Sequence, residues 1–113
     1  MKDQKSLDQA SERIRELGIF SSFDGLKGWL PVQAEGVLKT GEFVYFHARH
    51  EIAEMKISRD ESFKALPIAH YVAQEWDAGW IEGDRCVELI ERWISQYYAG
   101  DYGFNRQGRI IQI

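Results

Sequence analysis

The sequence predicts an α+β fold: a small antiparallel sheet of three to four strands forms a meander, with an N-terminal and a C-terminal helix packed on one face. Two stretches, residues 6–17 and 83–99, space their apolar side chains at helical intervals. Between them, residues 29–58 contain segments in which apolar and polar side chains alternate, as in half-buried strands. The chain has 113 residues, the length of one ordinary domain, so we assign 1–113 to a single globular domain.

Residues 6–17 form the first predicted helix. Ser6 is placed at the N-cap with Gln9 as its capping-box partner three residues later. Gly18 suits the left-handed position that commonly follows a helix C-terminus. The apolar stripe of this helix consists of Leu7, Ala10, Ile14 and Leu17.

The register of the predicted meander follows from the turn lengths. A two-residue turn at His50–Glu51 places Arg49 opposite Ile52. An odd-length turn through Thr40–Gly41, with Gly41 in a left-handed conformation, extends the same division of faces to residues 32–38. One face is then apolar, with Val32, Ala34, Gly36, Leu38, Val44, Phe46, Ala48, Ala53, Met55 and Ile57. The other, which we name the polar sheet face, carries Tyr45, His47, Arg49, Glu54 and Lys56.

Two connecting segments are less regular. Residues 19–28 contain two glycines and Asp24, and we expect a loop whose Phe20 and Phe23 cover one end of the core. Residues 68–74 fit either a strand or a helix that begins after a proline, and we favour a fourth strand.

Residues 83–99 form the second predicted helix, which ends at Gly100. Its apolar stripe is wide and consists of Cys86, Leu89, Ile90, Trp93, Ile94 and Tyr97. We expect flexible ends at residues 1–5 and 105–113, although the isoleucines of the tail also fit a short strand.

The composition excludes several classes of protein. The net charge of −4 argues against a broad basic surface for duplex nucleic acid. Cys86 is the only cysteine, which rules out an internal disulfide and favours a cytoplasmic location. The charged N-terminus does not resemble a signal peptide, and no apolar run is long enough to span a membrane.

No motif for a metal, nucleotide or other cofactor is complete, so we expect none to be bound. His50–Glu51–x–x–Glu54 lacks the second histidine of the zinc-protease motif and falls in a predicted hairpin instead of a helix. His47, His50 and His70 are expected to be ordinary surface or packed histidines. Cys86 lies on the apolar stripe of a helix and is expected to be a core residue.

The acidic residues are concentrated near two tryptophans. From Glu75 to Glu91 there are six acidic residues and one basic residue, Arg85. Trp76 and Trp80 lie in a turn just before the second helix, where they cap the core, anchor a protein partner or form a stacking platform for a carbohydrate or a base. The predicted partner-binding residues are Trp76, Asp77, Trp80, Glu82, Glu88 and Glu91.

The polar sheet face offers an alternative site. A carboxylate base, a histidine acid and cationic groups are what metal-independent RNA cleavage requires. Tyr45, His47, Arg49, Glu54 and Lys56 provide these groups, although cross-strand charge pairs are also common on solvated sheets. The acidic net charge argues against an RNA substrate, so we expect no nucleic acid partner.

A compact acidic α+β domain without a catalytic motif resembles immunity proteins, antitoxins and phage-encoded inhibitors, a class-level similarity that points to a bacterial or phage protein. It implies a non-enzymatic module that binds a protein partner with a basic surface. The alternatives are a small hydrolase, ribonuclease-like or ligand-binding site on the polar sheet face, and a subunit that works only as a homo-oligomer.

Overall fold

The structure, a computed structural model, describes residues 4–29, 31–62 and 67–103. In chain order it contains α1 (Gln4–Glu16), β1 (Phe20–Phe23), β2 (Val32–Leu38), β3 (Phe43–Arg49), β4 (Ile52–Ser58), β5 (Ala69–Gln74), a 3₁₀ turn (Ala78–Trp80) and α2 (Gly83–Tyr98). The strands pair antiparallel in sequence order and form one meander. The α+β class is confirmed, but the sheet has five strands within the described residues, where three to four were predicted.

The predicted register of the three central strands is confirmed. Arg49 pairs with Ile52 across the two-residue turn at His50–Glu51, and β2 pairs with β3 in the expected alignment. Gly41, between β2 and β3, has a φ of 101°, in the left-handed region that glycine adopts without strain. The predicted apolar face is buried, and it therefore forms the sheet's side of the core.

The prediction of a loop over residues 19–28 is wrong at Phe20–Phe23, which form the edge strand β1. Both phenylalanines are buried, and two exposed serines lie between them. The register shifts between Phe20 and Ser22, as at a β-bulge, so the two inward-facing residues are three positions apart. The bulge therefore hides the alternation that would have predicted a strand.

Gly36 on β2 allows β1 to approach closely. A Cβ atom at Gly36 would lie 2.9 Å from both a ring carbon of Phe20 and the carbonyl oxygen of Ser22. A side chain at this position would therefore push the edge strand away from the sheet.

The preferred assignment of residues 68–74 as a strand is confirmed by β5. Ala69 and Tyr71 are buried on the inner face. His70 lies opposite Lys56 of β4, so it belongs to the polar sheet face.

α2 covers the inner face of the sheet through aromatic contacts. The ring of Trp93 stacks on Tyr71 with 5.9 Å between centroids and contacts Phe46 at 6.4 Å. α1 contributes buried residues to the same core, but it packs mainly against α2 and reaches the sheet at β1. The predicted placement of both helices on one sheet face is therefore confirmed only in part.

The two helices approach each other closely at Gly83, the first residue of α2. A Cβ atom there would lie 2.6 Å from the main-chain oxygen of Ser6. Ser6 lies inside α1, so the prediction that it is the N-cap is wrong. At the other end of α1, Gly18 has a φ of 75°, as predicted for a residue that follows a helix.

The ends of the chain are described only in part. Gln4 and Lys5 belong to α1, whereas residues 1–3 and the tail from 104 to 113 lie outside the described residues. Within the described ranges, no helix is both long enough and apolar enough to cross a membrane.

Candidate functional site

One large apolar side chain projects into solvent just after β5. Trp76 is 86% exposed, and the next most exposed large apolar residue in the described part of the chain, Tyr98, is 50% exposed. Tryptophan is usually largely buried in a folded domain. Trp76 therefore marks a candidate contact surface.

The main chain holds Trp76 in place from both sides. The N–H of Glu75 donates to the carbonyl of Glu51 at 2.9 Å, and the N–H of Ala78 donates to the carbonyl of His50 at 2.7 Å. We name residues 75–78 the Trp76 turn. Because both of its ends are hydrogen-bonded to the β3–β4 turn, the indole extends from a fixed segment.

Trp80 has a different environment, although it lies only four residues later. Its ring stacks on Trp29 with 5.5 Å between centroids and an angle of 25°. Asp77, between the two tryptophans, adopts a left-handed conformation with φ 58° and ψ 46°. Of the two predicted anchors, the structure leaves Trp76 in solvent and packs Trp80 against another indole.

The predicted acidic residues fall into two groups. Asp77 belongs to the Trp76 turn, and Glu82 is the N-cap residue of α2. Glu88 and Glu91 lie on α2, about 9 and 14 Å further along the helix axis than Glu82 at 1.5 Å per residue. All four are exposed.

Arginine side chains form ion pairs with several of the carboxylates in this region. Arg85 contacts Glu75 at 3.0 Å and Glu88 at 2.7 Å. Hydrogen bonds to Glu88 and Glu75 raise the pKa of Arg85, and the hydrogen bond from Arg85 lowers the pKa of Glu88. Asp84 pairs with Arg13 at 2.6 Å, and Arg92 also contacts Glu88 at 3.1 Å. The surface is therefore less acidic than the sequence count suggests.

Cys86 is a core residue, as predicted. It is fully buried, and burial raises the pKa of its thiol to about 12, with smaller contributions from Glu75 and Glu82. A thiol in this state is a poor nucleophile.

The polar sheet face carries the residues of the alternative site. His47 lies opposite Glu54, and Tyr45 lies opposite Lys56. The rings of Tyr45 and His47 stack with 5.9 Å between centroids. Partial burial raises the pKa of Tyr45, and the negative charges of Glu35 and Glu54 add to this effect. Arg49 is exposed at the end of β3.

His70 is a residue of this face that sequence reasoning missed. Its Nε2 lies 3.0 Å from Oε2 of Glu54, and both side chains are 27% exposed. If residues 68–74 are assigned to a strand with Ala69 and Tyr71 facing inward, His70 falls beside Glu54. In the described ranges, no three His, Cys, Asp or Glu side chains are arranged to hold a metal ion.

Comparison of the chain with protein-family models, with curated proteins and with solved structures finds no match.

Proposed function

We propose that this chain is a protein-binding module of the inhibitor class, and that Trp76 docks on a basic surface of a protein partner. The exposure of Trp76 on a turn that the main chain holds in place is the observation that carries this proposal. Docking through this turn requires no catalytic step. The single buried cysteine supports a cytoplasmic location for the complex.

An exposed indole on a hydrogen-bonded turn suits the role of an anchor. Tryptophan is enriched among the few interface residues that contribute most of the binding free energy. Because hydrogen bonds on both sides fix the Trp76 turn, little conformational entropy is lost when a partner orders it. We therefore expect truncation of Trp76 to weaken binding by about 2 kcal/mol or more, which is about 30-fold in Kd.

The carboxylates next to the Trp76 turn favour a basic partner. Asp77 lies within the turn, and the exposed Glu51 accepts a main-chain hydrogen bond from it. Glu82 follows at the start of α2. Charges of this kind raise the association rate through electrostatic attraction at low salt.

Charge reversal tests this arrangement along α2. Glu82→Lys should slow association with the partner at low salt more than Glu91→Lys, because Glu82 lies closer in the chain to the Trp76 turn. Stopped-flow or surface plasmon resonance measurements at two salt concentrations give the rates. Equal rates for wild type and Glu82→Lys would show that acidic residues do not guide docking.

The central experiment first identifies the partner and then measures its affinity. Wild-type protein is used as the bait, and a protein that it retains is purified and titrated calorimetrically against both wild type and Trp76→Ala. Tyr98→Ala is the matched control, because it removes another exposed aromatic residue, at the C-terminal end of α2. Tyr98→Ala should bind like wild type.

Two outcomes contradict the proposal. One is a purified partner that binds Trp76→Ala as tightly as wild type. The other is a wild-type dimer in light scattering that becomes monomeric in Trp76→Ala, because Trp76 would then contact a second copy of this chain.

A further inference from the structure

The polar sheet face places three ionisable side chains near Glu54. His47 is its register partner on β3, and His70 on β5 contacts its carboxylate at 3.0 Å. Lys56 lies on the same face of β4 and is opposite His70. Glu54 therefore has one imidazole in contact with its carboxylate, and a second histidine opposite it in the β3–β4 register.

We propose that this face binds single-stranded RNA and cleaves its backbone by transesterification, with Glu54 as the general base and His47 as the general acid. RNA carries its own nucleophile, the 2′-hydroxyl, next to each phosphate. A base and an acid on either side of one phosphate are the groups that this reaction needs. The β3–β4 register supplies the spacing, because Cβ atoms of directly opposite residues lie about 4.5–5.5 Å apart.

The step begins when Glu54 accepts the proton of the 2′-hydroxyl as O2′ bonds to phosphorus. The bond between phosphorus and O5′ then breaks, and His47, as an imidazolium, donates a proton to the departing O5′. The products are a 2′,3′-cyclic phosphate and a 5′-hydroxyl end. Proton exchange with solvent restores both side chains, and no atom is oxidised or reduced.

The neighbouring residues have supporting roles. His70 is a positioning residue, because its contact with Oε2 fixes the orientation of the Glu54 carboxylate. Lys56 and Arg49 are the cations that can stabilise the charge that develops on the phosphate. Since Glu35 and Glu54 are also on this face, RNA binding should be weak.

This activity lies on a different surface from the Trp76 turn and departs from the expectation of a non-enzymatic protein. The test incubates a fluorescently labelled single-stranded RNA with wild type, His47→Ala, Glu54→Gln and the control Tyr98→Ala in the presence of EDTA. Circular dichroism confirms that each variant is folded. A DNA oligonucleotide of the same sequence, which lacks the 2′-hydroxyl, is the substrate control.

We expect wild type and Tyr98→Ala to cleave RNA equally, to release 2′,3′-cyclic phosphate ends and to leave DNA intact. His47→Ala and Glu54→Gln should each lose about 100-fold or more of the rate, the usual contribution of one acid or base. His70→Ala should lower kcat with little change in KM. No cleavage by folded wild type overturns the proposal, as does equal cleavage by all variants, which indicates a contaminating ribonuclease. Neither result bears on docking through Trp76.

Discussion

Trp76 and Trp80 lie four residues apart in one short segment, yet the fold uses them in opposite ways. Trp76 is 86% exposed, whereas Trp80 stacks on Trp29. The residue type is the same, so the difference comes from the left-handed backbone at Asp77 and from a partner ring distant in sequence. Two tryptophans in one short segment can therefore differ in role: Trp80 packs within the domain, and Trp76 is exposed for contact with another molecule.

Removal of Trp80 should have the largest effect on stability. Trp80→Ala should lower the free energy of unfolding by about 2–3 kcal/mol, somewhat less than for a fully buried aromatic residue. Urea unfolding measures this change. Trp29→Ala should have a similar effect, and the double variant should cost less than the sum because both substitutions remove the same ring stack. Strict additivity would show that the two rings do not interact.

The backbone at Asp77 can be tested separately from its side chain. Asp77→Val should lower the free energy of unfolding by about 1–2 kcal/mol, since a β-branched residue is strained in the left-handed region. Asp77→Gly is the matched control and should be as stable as wild type or slightly more stable. If Asp77→Val and Asp77→Gly unfold at the same urea concentration, residue 77 is not held in the left-handed conformation.

The β2–β3 turn lies in another part of the sheet. There an ionisable side chain holds the turn in addition to main-chain hydrogen bonds. Glu42 accepts hydrogen bonds from Thr40 and Tyr97. Partial burial raises the pKa of Glu42, but the hydrogen bonds from Thr40 and Tyr97, its own main chain and the charge of Arg59 outweigh burial and lower it.

This lowered pKa gives a pH-dependent contribution to stability. The contribution is complete above the unfolded-state value near 4.5 and is lost as the pH falls through the lower folded-state value. Glu42→Gln should therefore destabilise the protein at neutral pH by about 1 kcal/mol or less and should weaken the dependence of stability on acid pH. Urea unfolding at several pH values below 6 measures this, and an unchanged pH profile would contradict it.

Removal of Trp76 should have the smallest effect on stability. Trp76→Ala should change the free energy of unfolding by less than about 0.5 kcal/mol, because the side chain is almost entirely in solvent. A loss comparable to that of Trp80→Ala in urea unfolding would show that Trp76 packs against the domain.

The central sheet could be predicted because local and long-range signals agree there. The two-residue turn at His50–Glu51 and the alternation on both sides permit only one register that keeps the faces consistent. β1 could not be predicted in the same way, because its bulge places the two buried phenylalanines three positions apart.

The candidate sites were less predictable, because they depend on contacts between segments that are distant in sequence. Nothing near Trp80 indicates that Trp29 lies against it, and nothing near Asp84 indicates that Arg13 of α1 pairs with it. His70 joins Glu54 only once β5 is assigned to the edge of the sheet. Sequence patterns identified the residue types of both sites, but their arrangement required the fold.

The affinity of the purified partner for Trp76→Ala, measured by calorimetry beside wild type, decides whether Trp76 is the docking residue. We predict a Kd about 30-fold higher or more for Trp76→Ala, with an unchanged urea midpoint that excludes unfolding as the cause. An equal Kd for the two proteins would contradict the assignment of Trp76 as the docking residue.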